Sequence, residues 1–361
     1  MPTIVIAAGG TAGHVVPALA VAAALRDSGA RVEFVGGERA EAELVPAAGF
    51  PFHPLRVEGI DRRNPLRAAR AVLRAAGATA RARGLLKELG ADAVMGGGGY
   101  VAAPVGLAAR SLGLPVVATE ADSHLGITNR LLARFARRVF LAFPIAGREG
   151  ERYRVVGRPV PAGTGSADRD AARRQFGIGP DETCLLVFGG SLGARRINQA
   201  TVDAFGSGSP VAVLHAAGRR DHDELAARLE ELGSPPHYHL YPYIDPFADA
   251  LAAADLVVAR SGGSVLEVAA AGLPSVLVPY PHATADHQTS NARHMERAGA
   301  AVVVPDAELD GPRLAREVAA VLGAPDRMAA MGRAAAEVAK PDAARVIADE
   351  VLALAAIHGR A

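Results

Sequence analysis

Among 361 residues there is a single cysteine, Cys184, so no disulfide can form within the chain and a reducing compartment is the expected setting. Charge of one sign is missing too. The 39 basic and 38 acidic side chains leave a formal net charge of +1, which gives no long-range field for nucleic acid, and none is expected as a partner. No apolar run reaches the roughly 18 residues of a membrane-crossing helix, so any membrane contact is expected to be peripheral. The opening Met-Pro-Thr-Ile-Val-Ile lacks a basic segment and reads as a strand rather than a secretion signal. Low-complexity tracts are absent as well. With 50% hydrophobic residues, that argues against disorder and for a globular chain long enough to hold two domains.

What the chain does have is glycine placed where strands end. The apolar run Thr3–Ala8 empties into Gly9-Gly-Thr-Ala-Gly-His14 and then a helical pattern. Such a turn presents unpaired backbone N–H groups and the positive helix end to an anion, usually a phosphate. Small residues at 9, 10, 12 and 13 permit close approach, Thr11 adds a hydroxyl, and His14 can exchange a proton near neutral pH. One glycine turn by itself equally suits a plain strand-to-helix connection. A second one far downstream, Leu185-Leu-Val-Phe188 into Gly189-Gly-Ser-Leu-Gly-Ala194, implies two nucleotide-fold halves.

Short apolar runs alternate with helical patterns nearly throughout, the mark of βαβ units and parallel sheets. Strands are expected at 3–8, 31–36, 51–57, 92–96, 114–119, 138–143 and 153–156, with helices including 15–28, 66–88, 102–112 and 126–136. The small-residue stretch 162–166, after two prolines, is the best boundary. Strands then restart at 183–188, 211–215, 238–241, 256–259, 275–279 and 301–304, and 313–358 reads as helix broken near Pro325 and Pro341. The division is therefore 1–160 and 161–361, with a terminal helix 342–358 able to pack back on the first domain. The fold class is α/β: two doubly wound, Rossmann-like domains facing across a cleft, with ligands at the carboxyl ends of the strands.

Several polar groups fall at those ends. Arg260-Ser-Gly-Gly-Ser-Val-Leu-Glu267 repeats the loop geometry, and Glu267 is placed either for a ribose diol or as a plain helix-end acid. Asp286, Gln288 and Asn291 suit sugar hydroxyls. His282 and His287 do not share a helix face and lack a third ligand, so no metal is expected. Gly189-Gly-Ser-Leu-Gly193 also matches a hydrolase nucleophile elbow, with Asp286 and His287 downstream, and a serine hydrolase using Ser191 stays open at this point. Arg63, Arg67, Arg70, Arg74 and Arg81 form one helical stripe, suited to anionic headgroups or simply to solvent.

The ordered set Gly9-Gly-Thr-Ala-Gly-His14, Gly99-Tyr-Val-Ala-Ala-Pro104, Gly126-Ile-Thr-Asn129, Gly189-Gly-Ser-Leu-Gly-Ala-Arg195, Arg260-Ser-Gly-Gly and Asp286-His-Gln-Thr-Ser-Asn291 resembles the MurG family over nearly the whole chain. These are peptidoglycan N-acetylglucosaminyltransferases that join GlcNAc from UDP-GlcNAc to undecaprenyl-pyrophosphoryl-MurNAc-pentapeptide (lipid I), giving lipid II. The resemblance implies a GT-B fold and an inverting, metal-independent transfer with no cofactor, at the cytoplasmic face of an anionic membrane. It implies that His14 is the general base, and that Thr11, Ala12, Gly13, Asp122, Arg158, Ser191, Ile244, Ser264, Glu267 and Gln288 bind UDP-GlcNAc. Gly10, Gly99, Tyr100, Glu120 and Asn129 would belong to the acceptor and diphosphate loops. The sequence departs from the family at Ala12, usually glycine, and at Thr119-Glu-Ala-Asp122, usually His-Glu-Gln-Asn. It departs again at Gly157-Arg-Pro-Val-Pro161, where Arg158 would supply a guanidinium from a new position. Related transferases acting on diacylglycerol share much of the pattern.

Overall fold

In the computed structural model, which describes residues 1–57, 65–189 and 194–358 (for 65–75 and 284 the backbone alone), the chain divides into two compact units. The first is Met1–Pro161 together with Pro341–Ala361, and the second is Ala162–Lys340.

The first unit holds seven parallel strands: β1 (Thr3–Ala7), β2 (Arg31–Gly36), β3 (Phe52–Pro54), β4 (Ala93–Gly96), β5 (Val116–Glu120), β6 (Arg138–Leu141) and β7 (Tyr153–Val155). Their order is β3-β2-β1-β4-β5-β6-β7. All five residues of β1 are buried, as a strand covered on both faces requires. Ile4 and Ile6 point to one layer, with helix Ala12–Asp27 and the returning helix Ala343–His358. Val5 and Ala7 point to the other, with helices Pro65–Glu88 and Ala102–Ser111. Glu350 on the returning helix pairs with Arg154 at 2.6 Å, pinning it to the sheet edge. Register sets the functional end: Ala7 lies opposite both Val35 and Gly96, so the loops after β1, β2 and β4 leave the sheet side by side. Strand order reverses between β1 and β4, which is where doubly wound folds bind ligands.

The second unit repeats the design with β8 (Cys184–Phe188), β9 (Ala212–Ala216), β10 (Tyr238–Tyr241), β11 (Leu256–Ala259), β12 (Ser275–Leu277) and β13 (Ala301–Val303), ordered β10-β9-β8-β11-β12-β13. Leu185 and Val187 pack on one helical layer, Cys184, Leu186 and Phe188 on the other. Phe188 lies opposite Ala259, so the loops after β8 and β11 also emerge together.

Some boundaries differ from the sequence expectation. The first helix begins at Ala12 rather than 15, because the Thr11 carbonyl already accepts the N–H groups of His14 (3.0 Å) and Val15 (3.2 Å). The third strand is only Phe52–Pro54. The terminal stretch is three helices, Gly311–Leu322, Pro325–Val338 and Ala343–His358, interrupted at the two prolines as expected.

Candidate active site

In the first unit the β1 loop and the β4 loop pack backbone against backbone. Gly99 has φ +79°, and a Cβ there would collide with the Gly9 carbonyl oxygen. Gly98, at φ +92°, lets the His14 ring approach: a Cβ would lie 2.7 Å from Nδ1. The glycines therefore serve close contact between the loops and around the His14 ring. His14 is half-buried, in the first turn of its helix. Burial pulls its pKa below the ordinary imidazole value, Asp122 and Glu120 push it back up, and Arg158 lowers it. The net shift is downward, which favours the neutral, proton-accepting form of the ring.

Glu120 and Asn129 are paired with each other rather than free. Asn129 Nδ2 donates to Glu120 Oε2 and to the Thr119 carbonyl, both at 2.9 Å. Glu120 also accepts from the N–H of Gly126 at 2.9 Å and of Asp122 at 3.2 Å. Burial raises the Glu120 pKa, and the hydrogen bonds from Gly126 and Asn129 oppose the rise. These contacts fold the 121–126 turn and hold Asp122 close enough to be the strongest charge acting on His14. Arg158, also buried, donates from Nη2 to the Gly13 carbonyl at 3.1 Å, so it braces the β1 loop.

In the second unit the β11 loop is fastened to the helix His287–Arg297. Ser261 Oγ donates to the Gln288 carbonyl at 2.8 Å, and Asn291 Nδ2 donates to the Ser261 carbonyl at 3.0 Å. Gln288 Oε1 accepts the Tyr280 N–H at 3.0 Å, which fixes its amide. Arg260 pairs with Asp306 at 2.6 Å and donates to the carbonyls of Val278 and Pro279. Ser264 occupies the N-cap position of the short helix Val265–Ala270 without a side-chain capping bond, and Glu267, buried, sits in its first turn. Ala285 and Asp286 take left-handed φ values of +53° and +52°, backbone strain placed directly before the helix carrying Gln288. Ile244, buried with Phe188, follows β10. Asp286 Oδ1 accepts the Thr289 hydroxyl at 2.7 Å.

Thr11, Ala12, Gly13, His14, Gly99, Tyr100, Asp122 and Arg158 thus come from the carboxyl-end loops of the first unit, and Ile244, Ser264, Glu267 and Gln288 from those of the second. Ser191, with the rest of its loop from Gly190 to Gly193, lies outside the described residues, as do Arg63 and the side chains of Arg67, Arg70 and Arg74. Gly10 lies in the loop after β1 as expected, and its N–H donates to a carboxylate of this chain, Glu41 Oε2, at 2.8 Å. Glu41 escaped the sequence reading, because its partners are contributed by three separate loops. An open pocket of about 770 Å³ in the first unit lies instead at the amino ends of β5, β6 and β7, lined by Arg110, Arg137 and Arg152 among others. The binding rule for parallel sheets places chemistry at the opposite ends.

Two Rossmann-like units, each a doubly wound parallel sheet, have the architecture of GT-B glycosyltransferases. The chain belongs to glycosyltransferase family 28: the family's N-terminal domain matches residues 4–141 and its C-terminal domain residues 184–347. It is 42% identical, over 98% of this chain and 97% of the relative, to the UDP-N-acetylglucosamine–N-acetylmuramyl-(pentapeptide) pyrophosphoryl-undecaprenol N-acetylglucosamine transferase of Salinibacter ruber. The transferase of the same name from Moorella thermoacetica is 41% identical over 97% of this chain and 98% of its own. Among solved structures, Acinetobacter baumannii MurG superposes with a TM-score of 0.78 at 31% identity, covering 98% of this chain and all of that one.

Proposed function

We propose that this chain transfers N-acetylglucosamine from UDP-GlcNAc to undecaprenyl-pyrophosphoryl-MurNAc-pentapeptide, completing the lipid-linked disaccharide precursor of peptidoglycan. The observation that carries this reading is identity of about 40% over the full length of enzymes bearing that name. The site residues divide accordingly. The second unit holds the donor, with Glu267 on the ribose, Gln288 on the GlcNAc hydroxyls, Ile244 beside the base and Ser191 on the diphosphate. His14 of the first unit removes the proton of the acceptor hydroxyl as its oxygen forms a bond to the anomeric carbon. The bond to the UDP oxygen breaks on the opposite face and UDP leaves with the electron pair, which inverts the configuration. Support for His14 comes from the Gly98 contact that seats its ring and from burial, which lowers its pKa and favours the neutral imidazole.

The reading needs no metal and no cofactor, so EDTA leaves turnover unchanged. No helix among the described residues is long and apolar enough to cross a membrane. A polyprenyl acceptor nonetheless requires work at a membrane surface, and we place the enzyme peripherally on the cytoplasmic leaflet, where UDP-GlcNAc is available. Incubation with radiolabelled UDP-GlcNAc and a short-chain lipid I analogue tests the whole assignment. Label should move to the analogue, while UDP-galactose or UDP-glucose with diacylglycerol yields no product. Transfer in the second pair alone would replace this function with that of a diacylglycerol transferase.

A further inference from the structure

Glu41 is fully buried although it is a carboxylate in the first turn of the helix Ala40–Ala47. Its two oxygens gather donors from three different strand ends. Oε2 accepts the N–H of Gly10, in the β1 loop, at 2.8 Å. Oε1 accepts the N–H of Gly37, after β2, at 2.9 Å, and the Tyr100 hydroxyl, after β4, at 3.3 Å. The neighbouring residues are small enough to admit it: a Cβ on Gly9 would lie 2.6 Å from Oε1, and one on Gly36 2.7 Å from Cγ. A helix-end acid needs only proximity to its own helix. Charged groups are seldom buried unless fully partnered, and here the partners are the loops around His14.

We propose that Glu41 is a positioning residue for the transfer reaction: its carboxylate clamps the β1, β2 and β4 loops together and so fixes the backbone from which His14 projects. Gly10, at φ +110°, is held four residues before His14, and Gly99 lies against Gly9, so loosening the clamp moves both walls of the His14 seat at once. A base displaced by about 1 Å loses on the order of 100-fold in rate. Most of the donor residues, Ile244, Ser264, Glu267 and Gln288 among them, belong to the other unit, and only Thr11, Ala12 and Gly13 lie on the clamped loop itself, so the clamp weighs on kcat far more than on donor affinity.

The inference rests on the transferase reading, and the test separates the two. In Glu41→Gln the amide NH₂ must face one of the two backbone N–H groups, and in Glu41→Asp the shorter side chain cannot reach Gly10 and Gly37 together. Both variants should lose about 10- to 100-fold in kcat with KM for UDP-GlcNAc within about threefold of wild type. Failure of Asp to rescue distinguishes a clamp from a mere charge acting on His14. Gly9→Ala should give the same phenotype, and Gly9→Ala with Glu41→Gln should be no worse than either alone. In glycine-labelled wild-type protein the Gly10 and Gly37 amides should be protected from hydrogen exchange and should shift together in Glu41→Gln. Wild-type kcat in Glu41→Gln, full rescue by Asp, or fast exchange of the wild-type Gly10 amide would each overturn the clamp. The exchange result stands even if the variants fold poorly or the wild type transfers no GlcNAc, and the latter would overturn only the assigned function.

Discussion

His14 sits in a balance of burial against charge, and each contributor can be removed singly. The acid limb of the turnover–pH profile should fall below the ordinary histidine value near 6.5, because burial is the largest influence on the ring. Asp122→Asn removes a negative neighbour and moves that limb to lower pH, whereas Arg158→Met removes a positive one and moves it higher. His14→Ala should lower kcat by about 10²–10⁴-fold, abolish the limb and leave UDP-GlcNAc binding within a few-fold. Persistence of the limb would assign the base elsewhere. Glu267→Gln should raise KM for the donor with little change for the acceptor, by loss of a charge-assisted bond to ribose. An unchanged donor constant, read by titration calorimetry, would return Glu267 to a helix-end acid. The placements legible in sequence were those that follow from a residue's own segment: His14, Glu267 and Gln288 each stand just beyond the carboxyl end of a strand. Glu120 ends strand β5 and Asn129 lies in the helix Ile127–Leu132, rather than in loops, and their mutual hydrogen bond at 2.9 Å depends on that strand end and helix meeting.

At the scale of elements, β1 with its glycine turn and helix was readable because five consecutive buried residues followed by glycine admit few alternatives. Helix Pro65–Glu88 was equally clear from its period, with Ala78, Ala82 and Leu86 turned into the core. Of its arginines, Arg81 is exposed and donates to the Arg56 carbonyl at 3.2 Å. If the stripe meets anionic headgroups, each arginine should contribute about 1 kcal/mol at low salt. Replacing Arg70, Arg74 and Arg81 with glutamine should then release the protein from phosphatidylglycerol vesicles in a flotation assay while sparing transfer to a soluble acceptor. Equal flotation by variant and wild type would make the stripe a solvated face.

At the scale of the molecule, pH stability carries a mark of the second unit. His215 in β9 is completely buried between the Tyr238 hydroxyl at 2.8 Å and Asn198 Oδ1 at 3.1 Å, and burial pushes its pKa down to about 3. Unfolding frees the ring to protonate near 6.5, so its stabilising share is intact above that value and is lost as pH falls toward about 3. Between pH 7 and about pH 4.5 this group alone should cost about 2–3 kcal/mol, read as a falling urea midpoint. His215→Gln should flatten that part of the slope; parallel slopes in the two proteins would deny His215 the role.

The alternation of apolar runs and helical periods, with glycine at two strand ends, determined by itself that this chain forms two doubly wound halves and which polar residues stand at the carboxyl ends of their strands. Those are local consequences: a strand covered on both faces must be apolar throughout, and a turn that exposes backbone must lack side chains. Only the tertiary structure decided that helix Ala343–His358 returns to the first unit, where Ile347 and Val351 are buried against Val15 and Val21. It alone showed Gly10 bound to Glu41, Arg158 on the Gly13 carbonyl and Glu120 engaged by Asn129. Each of these joins residues between 9 and 145 positions apart, and a pairing of that kind is set by strand order and register, which no local pattern encodes.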